Sequence, residues 1–73
     1  MNRKFHKDLF SPESIANTIV AFAHLADISF SETKMYWEVV FTNSKYDIDK
    51  TANEFENYLI QLTFMENKKV GQY

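Results

Sequence analysis

The spacing of apolar side chains changes twice along this chain, and that change restricts the fold more than any single residue does. From Asp27 to Ser31, and again from Lys34 to Thr42, polar and apolar residues alternate with a period of two, the repeat of a strand with one covered face. In the second run Met35, Trp37, Val39 and Phe41 share one side, and Tyr36, Glu38, Val40 and Thr42 share the other. Before these runs Ile15, Ile19, Phe22, Ala23 and Ala26 follow one helical face, widened by Val20 and Leu25. After them Ile48, Ala52, Phe55, Leu59 and Leu62 do the same. Two helices therefore flank a hairpin. Glu32-Thr33 is drawn as its turn, although neither residue tolerates positive φ well and a longer loop would serve better.

End signals sharpen the helices. Ser11 can accept from an orphan amide of the first turn, Pro12 sits where its missing amide costs nothing, and Glu13 complements the helix dipole. This first helix is expected to run to about Ala26. Asp47 or Asp49 caps the second helix, whose apolar content extends beyond one stripe to Tyr58, Ile60, Phe64 and Met65. The segment Lys4 to Phe10 alternates imperfectly and stops at Ser11-Pro12, which predicts a short first strand. Residues 67–73 show no periodicity and read as a flexible tail. The order strand, helix, strand, strand, helix predicts a small α+β domain of β-α-β-β-α order, a three-stranded sheet with two helices on one face. The other face would then carry Tyr36, Glu38, Val40 and Thr42, joined by His6, Asp8 and Phe10 of the first strand.

With 73 residues the chain is expected to form a single domain over 1–73, with one Gly, one Pro and no Cys. A domain of this size buries only about 60% of the surface its unfolded chain exposes, so packing and partners must hold it. The missing thiols exclude disulfides, thiol catalysis and thiolate zinc sites, and they fit a reducing cytoplasm. Eight Lys and Arg against ten Asp and Glu give a net charge of -2, a poor basis for gripping nucleic acid through its phosphates. No run reaches the roughly 20 apolar residues of a membrane span, and no signal-peptide pattern follows Asn2-Arg3-Lys4. The expectation is a cytoplasmic protein with neither a nucleic-acid nor a membrane partner.

Catalytic constellations are sparse. His24 and Asp27 form an H-x-x-D pair that could put two ligands on one helical face, but one such pair is a weak metal signal, and His6 belongs to no ligand spacing. No glycine-rich elbow exposes a serine, and one glycine cannot build a phosphate-cradling loop. Glu54 and Glu56 read as a solvated face rather than an acid and base pair. The expectation is therefore no catalytic residue, cofactor or metal. Surplus apolar surface remains. Ile60, Phe64 and Met65 could complete the core, or Phe10, Tyr36, Val40, Tyr58, Phe64 and Met65 could bind a partner, since aromatic and Met side chains carry much interface energy. An exposed edge strand could also accept an extended peptide by strand addition.

Leu9-Phe10-Ser11-Pro12-Glu13-Ser14-Ile15, then Ala21-Phe22-Ala23-His24-Leu25-Ala26-Asp27, and later Glu54-Phe55-Glu56-Asn57-Tyr58-Leu59-Ile60 resemble the His-Xaa-Ser system protein D family over most of the chain. That family is similar in size and is encoded beside radical SAM peptide-modifying enzymes and a short substrate peptide. The resemblance implies an accessory role in ribosomal peptide maturation, with a radical SAM enzyme or a precursor peptide as partner. The matched residues are caps and core positions, and arginines expected after the first helix and late in the second are missing here. No functional residue carries over. Two other classes fit the same composition: a small regulatory or inhibitory protein, for example phage-encoded, that acts by surface docking, and a self-associating structural module that forms a homodimer.

Overall fold

In a computed structural model of the protein the backbone is described for residues 1–71 and the side chains for residues 1–66. The elements are β1 (Asn2–His6), α1 (Pro12–Phe22), β2 (Asp27–Glu32), β3 (Tyr36–Thr42) and α2 (Ile48–Gly71). The sheet order is β1-β3-β2 and both pairings are antiparallel. The expected α+β architecture is the observed one. Val39 and Phe41 of β3 and Phe5 of β1 are buried against Ile15 and Phe22 of α1 and Ala52, Phe55 and Leu59 of α2. One core cluster joins all of them, so both helices cover the same face of the sheet. Phe55 is its hub, meeting Phe41 edge to face at 5.1 Å and Phe22 at 5.6 Å.

Several boundaries differ from the sequence expectation. The first strand spans Asn2–His6 rather than Lys4–Phe10, and its ladder begins at Met1, whose carbonyl accepts the Phe41 amide at 2.7 Å. After His6 the chain turns, and the amides of Leu9 and Phe10 both donate to the His6 carbonyl at 3.1 Å. The cause is the position of Phe10. It stacks edge to face on Phe5 at 5.4 Å, yet residues five apart on a continuous strand point to opposite faces. A turn is required to bring both rings to the core side. Phe10 therefore does not join the outer face; His6 does, and the Asp8 carboxylate, in the turn beyond it, stays beside the His6 ring with Oδ2 3.7 Å from Nδ1.

The first helix ends at Phe22, four residues before the expected Ala26. Its last turn tightens: the Ala23 amide donates to the Val20 carbonyl and the Leu25 amide to the Phe22 carbonyl, three residues back in each case. Leu25 then serves the next connection, accepting the Lys45 amide at 2.7 Å. In the hairpin the turn centres on Lys34-Met35, not on Glu32-Thr33. The Thr33 amide donates to the Tyr36 carbonyl at 2.9 Å, and the Thr33 hydroxyl accepts the Tyr36 amide at 3.1 Å. That hydroxyl does the work of a turn carbonyl, so no residue with positive φ is needed. Met35 consequently lies in the turn, exposed, and does not share the buried side of β3 with Val39 and Phe41.

Ser11 caps α1 as expected, accepting the Ser14 amide at 3.1 Å. The Asp47 carbonyl accepts the Thr51 amide at 3.0 Å and opens α2, whose buried face of Ala52, Phe55 and Leu59 is flanked by half-buried Ile48 and Leu62. The helices run antiparallel, for Ser14 meets Glu66 while Phe22 meets Phe55 and Tyr58. With 24 residues α2 is about 36 Å long, against about 16 Å for the 11 residues of α1. The helix continues to Gly71, past Glu66, although the sequence shows no periodicity there. Of the tail expected at 67–73, residues 72–73 lie outside those described.

Candidate functional site

Alternation along the strands decides what the outer face of the sheet offers. Lys4 stands opposite Glu38, His6 opposite Tyr36, and Asn2 and Ser29 flank Val40. The His6 ring packs edge to face on Tyr36 at 5.3 Å, and the Lys4 ammonium lies 5.8 Å from the same ring. Tyr36 and Val40, both expected to bind a partner, are about 13 Å apart along β3 with Glu38 between them. They do not form one apolar patch. The structure makes this face a polar, solvated surface with a single aromatic ring held between two basic side chains.

The second helix divides its surplus apolar residues. Each residue turns a helix by about 100°, so Tyr58 and Met65 fall within about 20° of one another, while Phe64 lies about 120° from Tyr58. Tyr58 leans edge to face on Phe22 at 5.7 Å, on the flank toward α1. Ile60 and Phe64 lie on the other flank, which also carries Asn53 and Glu56; these two accept the Arg3 guanidinium of β1, each at 2.8 Å. Tyr58, Phe64 and Met65 are therefore not one docking surface. Nor do Ile60, Phe64 and Met65 complete the core: Phe64 is 66% exposed and Met65 64%.

On the β1 side of α2 the turn after β1 meets the helix. Leu9, Phe10, Ile60, Thr63 and Phe64 line an open groove of about 250 Å³. Its position is fixed from two directions. The indole N–H of Trp37 donates to the Phe10 carbonyl at 2.8 Å, and the Arg3 bonds hold α2 over β1. Leu9 and Phe64 are each 66% exposed, and with Phe10 and Ile60 they make one contiguous apolar lining rather than scattered surface residues. Thr63 adds one polar group. Its Oγ1 is buried without a hydrogen-bond partner among the described residues, and threonine in a helix divides between two χ1 rotamers that aim the hydroxyl differently. The sequence brought Phe10 and Phe64 forward for separate reasons, and the structure brings them together. Leu9 carried no periodic signal and was not singled out.

A second cavity of about 270 Å³ is lined by Leu25, Tyr46, Lys50, Thr51 and Glu54, with the Ser44 and Thr51 hydroxyls 3.0 Å apart beside it. Its walls are mixed, with Leu25 and Tyr46 beside Lys50, Thr51 and Glu54. His24 lies in the turn after α1, not on the helix, so His24 and Asp27 do not share a helical face. The Asp27 carboxylate instead accepts the Asn43 side-chain amide at 3.1 Å. Among the described residues no group of three or more His, Asp or Glu could hold a metal ion. Glu56 is committed to Arg3, Lys7 pairs with Glu32, and Glu66 accepts from the Ser14 hydroxyl. No helix among the described residues is long and apolar enough to cross a membrane.

No protein-family model, curated protein or solved structure matches this chain.

Proposed function

We propose that this protein is a noncatalytic accessory module of the cytoplasm that docks a peptide or enzyme partner in its Leu9-Phe10-Ile60-Phe64 groove. The observation that carries this reading is the placement of large apolar side chains from two elements around one open depression, instead of in the core where a 73-residue chain most needs them. The groove suits one or two apolar side chains of an extended or helical segment, and the Thr63 hydroxyl, buried as it stands, would reach such a segment only by turning to its other χ1 rotamer. The resemblance to the His-Xaa-Ser system protein D family supports a precursor peptide or its radical SAM enzyme as that partner. In this reading the protein presents or retains the peptide while another protein performs the chemistry.

The test is capture of partners by the tagged full chain from its host lysate, with short peptides retained for mass spectrometry, beside the exposed-site variant Phe64→Asp. Recovery of a radical SAM enzyme or a short precursor peptide by the wild type, lost with Phe64→Asp while circular dichroism is unchanged, supports the reading. Equal recovery by both proteins rejects the groove. Recovery of a large defence or replication complex alone replaces peptide maturation with an inhibitory role.

A further inference from the structure

Charge is distributed unevenly over this molecule. The chain is 25% Asp, Glu, Lys and Arg, yet from Ser14 to Ser31 only Asp27 belongs to that set. Those residues are not scattered in space. They form α1 after its first turn together with β2, and the helix packs against the strand. The resulting edge of the molecule carries Asp27 as its one charge and exposes Ala16, Asn17, Val20 and Ala23 on the helix side and Ser29 and Ser31 on the other face of the strand, with Ile28 and Phe30 half-buried beneath α1. Depletion of charge is the compositional mark of an interface core.

The same side of the molecule contains a free sheet edge. With the order β1-β3-β2, both β1 and β2 are edges, and they are guarded differently. β1 carries Arg3 and Lys4 and is followed by Lys7, the usual protection against edge pairing. β2 reads Asp-Ile-Ser-Phe-Ser-Glu, with no Lys, Arg, Pro or Gly. Its main-chain groups on the side away from β3 find no backbone partner among the described residues.

We propose that β2 pairs with β2 of a second copy of this chain, antiparallel about a two-fold axis normal to the sheet through Ser29, giving one six-stranded sheet. The charge pattern selects this occupant. An axis normal to the sheet pairs residues of the same pleat parity, so Asp27 never faces Glu32 of the second copy. Centred on Ser29, the register sets Asp27 opposite Ser31 and Ile28 opposite Phe30, twice each, and leaves no like charges apposed. Strands about 4.8 Å apart bring the two α1 helices, each lying by β2, toward the 8–10 Å separation of packed helices. Their exposed small side chains permit that approach. The pairing does not rest on the groove: the groove lies on the β1 side, and both copies keep it open.

The test is sedimentation equilibrium of the full chain from micromolar to millimolar concentration, for the wild type, Ser29→Lys, Ser29→Glu, an equal mixture of the two, and Ser31→Lys. All three substitutions are at exposed positions, and circular dichroism checks the fold. The wild type should approach twice its 8.6 kDa monomer mass. Ser29→Lys sets two ammonium groups face to face and should weaken association by about tenfold or more, the mixture should restore it, and Ser31→Lys, opposite Asp27, should tighten it. A wild type that stays monomeric throughout overturns the proposal. So does a dimer that Ser29→Lys leaves intact, which would place self-association on another surface such as the groove.

Discussion

Phe55 and Phe64 are nine residues apart on one helix and chemically identical, yet their surroundings assign them opposite work. Phe55 is fully buried, meets Phe22 and Phe41 edge on and Phe5 at a tilt, whereas Phe64 is 66% exposed. Phe55→Ala should cost about 3–5 kcal/mol, and Phe64→Ala no more than about 0.5 kcal/mol. Urea denaturation midpoints at constant slope check both, and a large loss for Phe64→Ala would return that ring to the core. Periodicity separates the two, since nine residues turn a helix by about 180°, but it does not say whether the face opposite Phe55 is covered by another element. Phe10 is harder still. Its five-residue distance from Phe5 is odd, which on a strand means the opposite face, and nothing local announces the turn that reverses the parity. Trp37 holds that turn through the Phe10 carbonyl. Trp37→Phe, which keeps most of the ring and removes the donor, should cost about 1–3 kcal/mol and loosen the Lys7–Phe10 turn to hydrogen exchange.

Among the elements, α1 is the clearest case of local sequence and tertiary contact acting together. The Ser-Pro-Glu start was legible, because capping is decided within four residues. The continuation was not: the Ser11 hydroxyl also donates to Ser14 Oγ at 2.9 Å, and the Ser14 hydroxyl donates to Glu66, 52 residues away. The cap is thereby tied to the far part of α2. Ser11→Ala should cost about 1 kcal/mol. Glu66→Ala should cost about 1–3 kcal/mol, because Ser14 is fully buried and its hydroxyl would lose its acceptor. The Ser14→Ala, Glu66→Ala cycle should show coupling, and additivity would mean that the bond is absent in solution. The hairpin divides in the same way. The inward and outward parity of β3 was legible from Trp37 to Thr42, while the turn was not, since Met35 continues the alternation into the loop. The Thr33 hydroxyl that closes the turn leaves no mark in a pattern of apolar spacing.

Over the whole molecule, the arrangement follows from placing a 24-residue helix on strands of five to seven residues. The longest dimension, 41 Å, exceeds the other two at 25 and 16 Å, and the part of α2 past Leu59 turns toward Leu9 and Phe10 what the sheet cannot cover. Half of the candidate groove was therefore visible in the sequence as surplus apolar surface, but its location depended on how far α2 outruns its neighbours. Strand order was not legible either. Adjacent strands of a hairpin pair by default, but β1 could have joined either edge; pairing with β3 sets Lys4 opposite Glu38 and leaves β2 open. Hydrogen exchange resolves the consequence strand by strand. β3 is bonded on both sides and buries Val39 and Phe41, so its amides should exchange slowest in the sheet and should not respond to concentration. The amides of β2 that face away from β3 should exchange fast in dilute solution and slow as concentration rises, because in the pure protein the proposed pairing with a second copy is what bonds them. β1, guarded by Arg3 and Lys4, should show no such dependence. Concentration-dependent protection of β1 in place of β2 would mean that basic side chains do not guard this edge, and the dimer axis would have to move to the opposite side of the sheet.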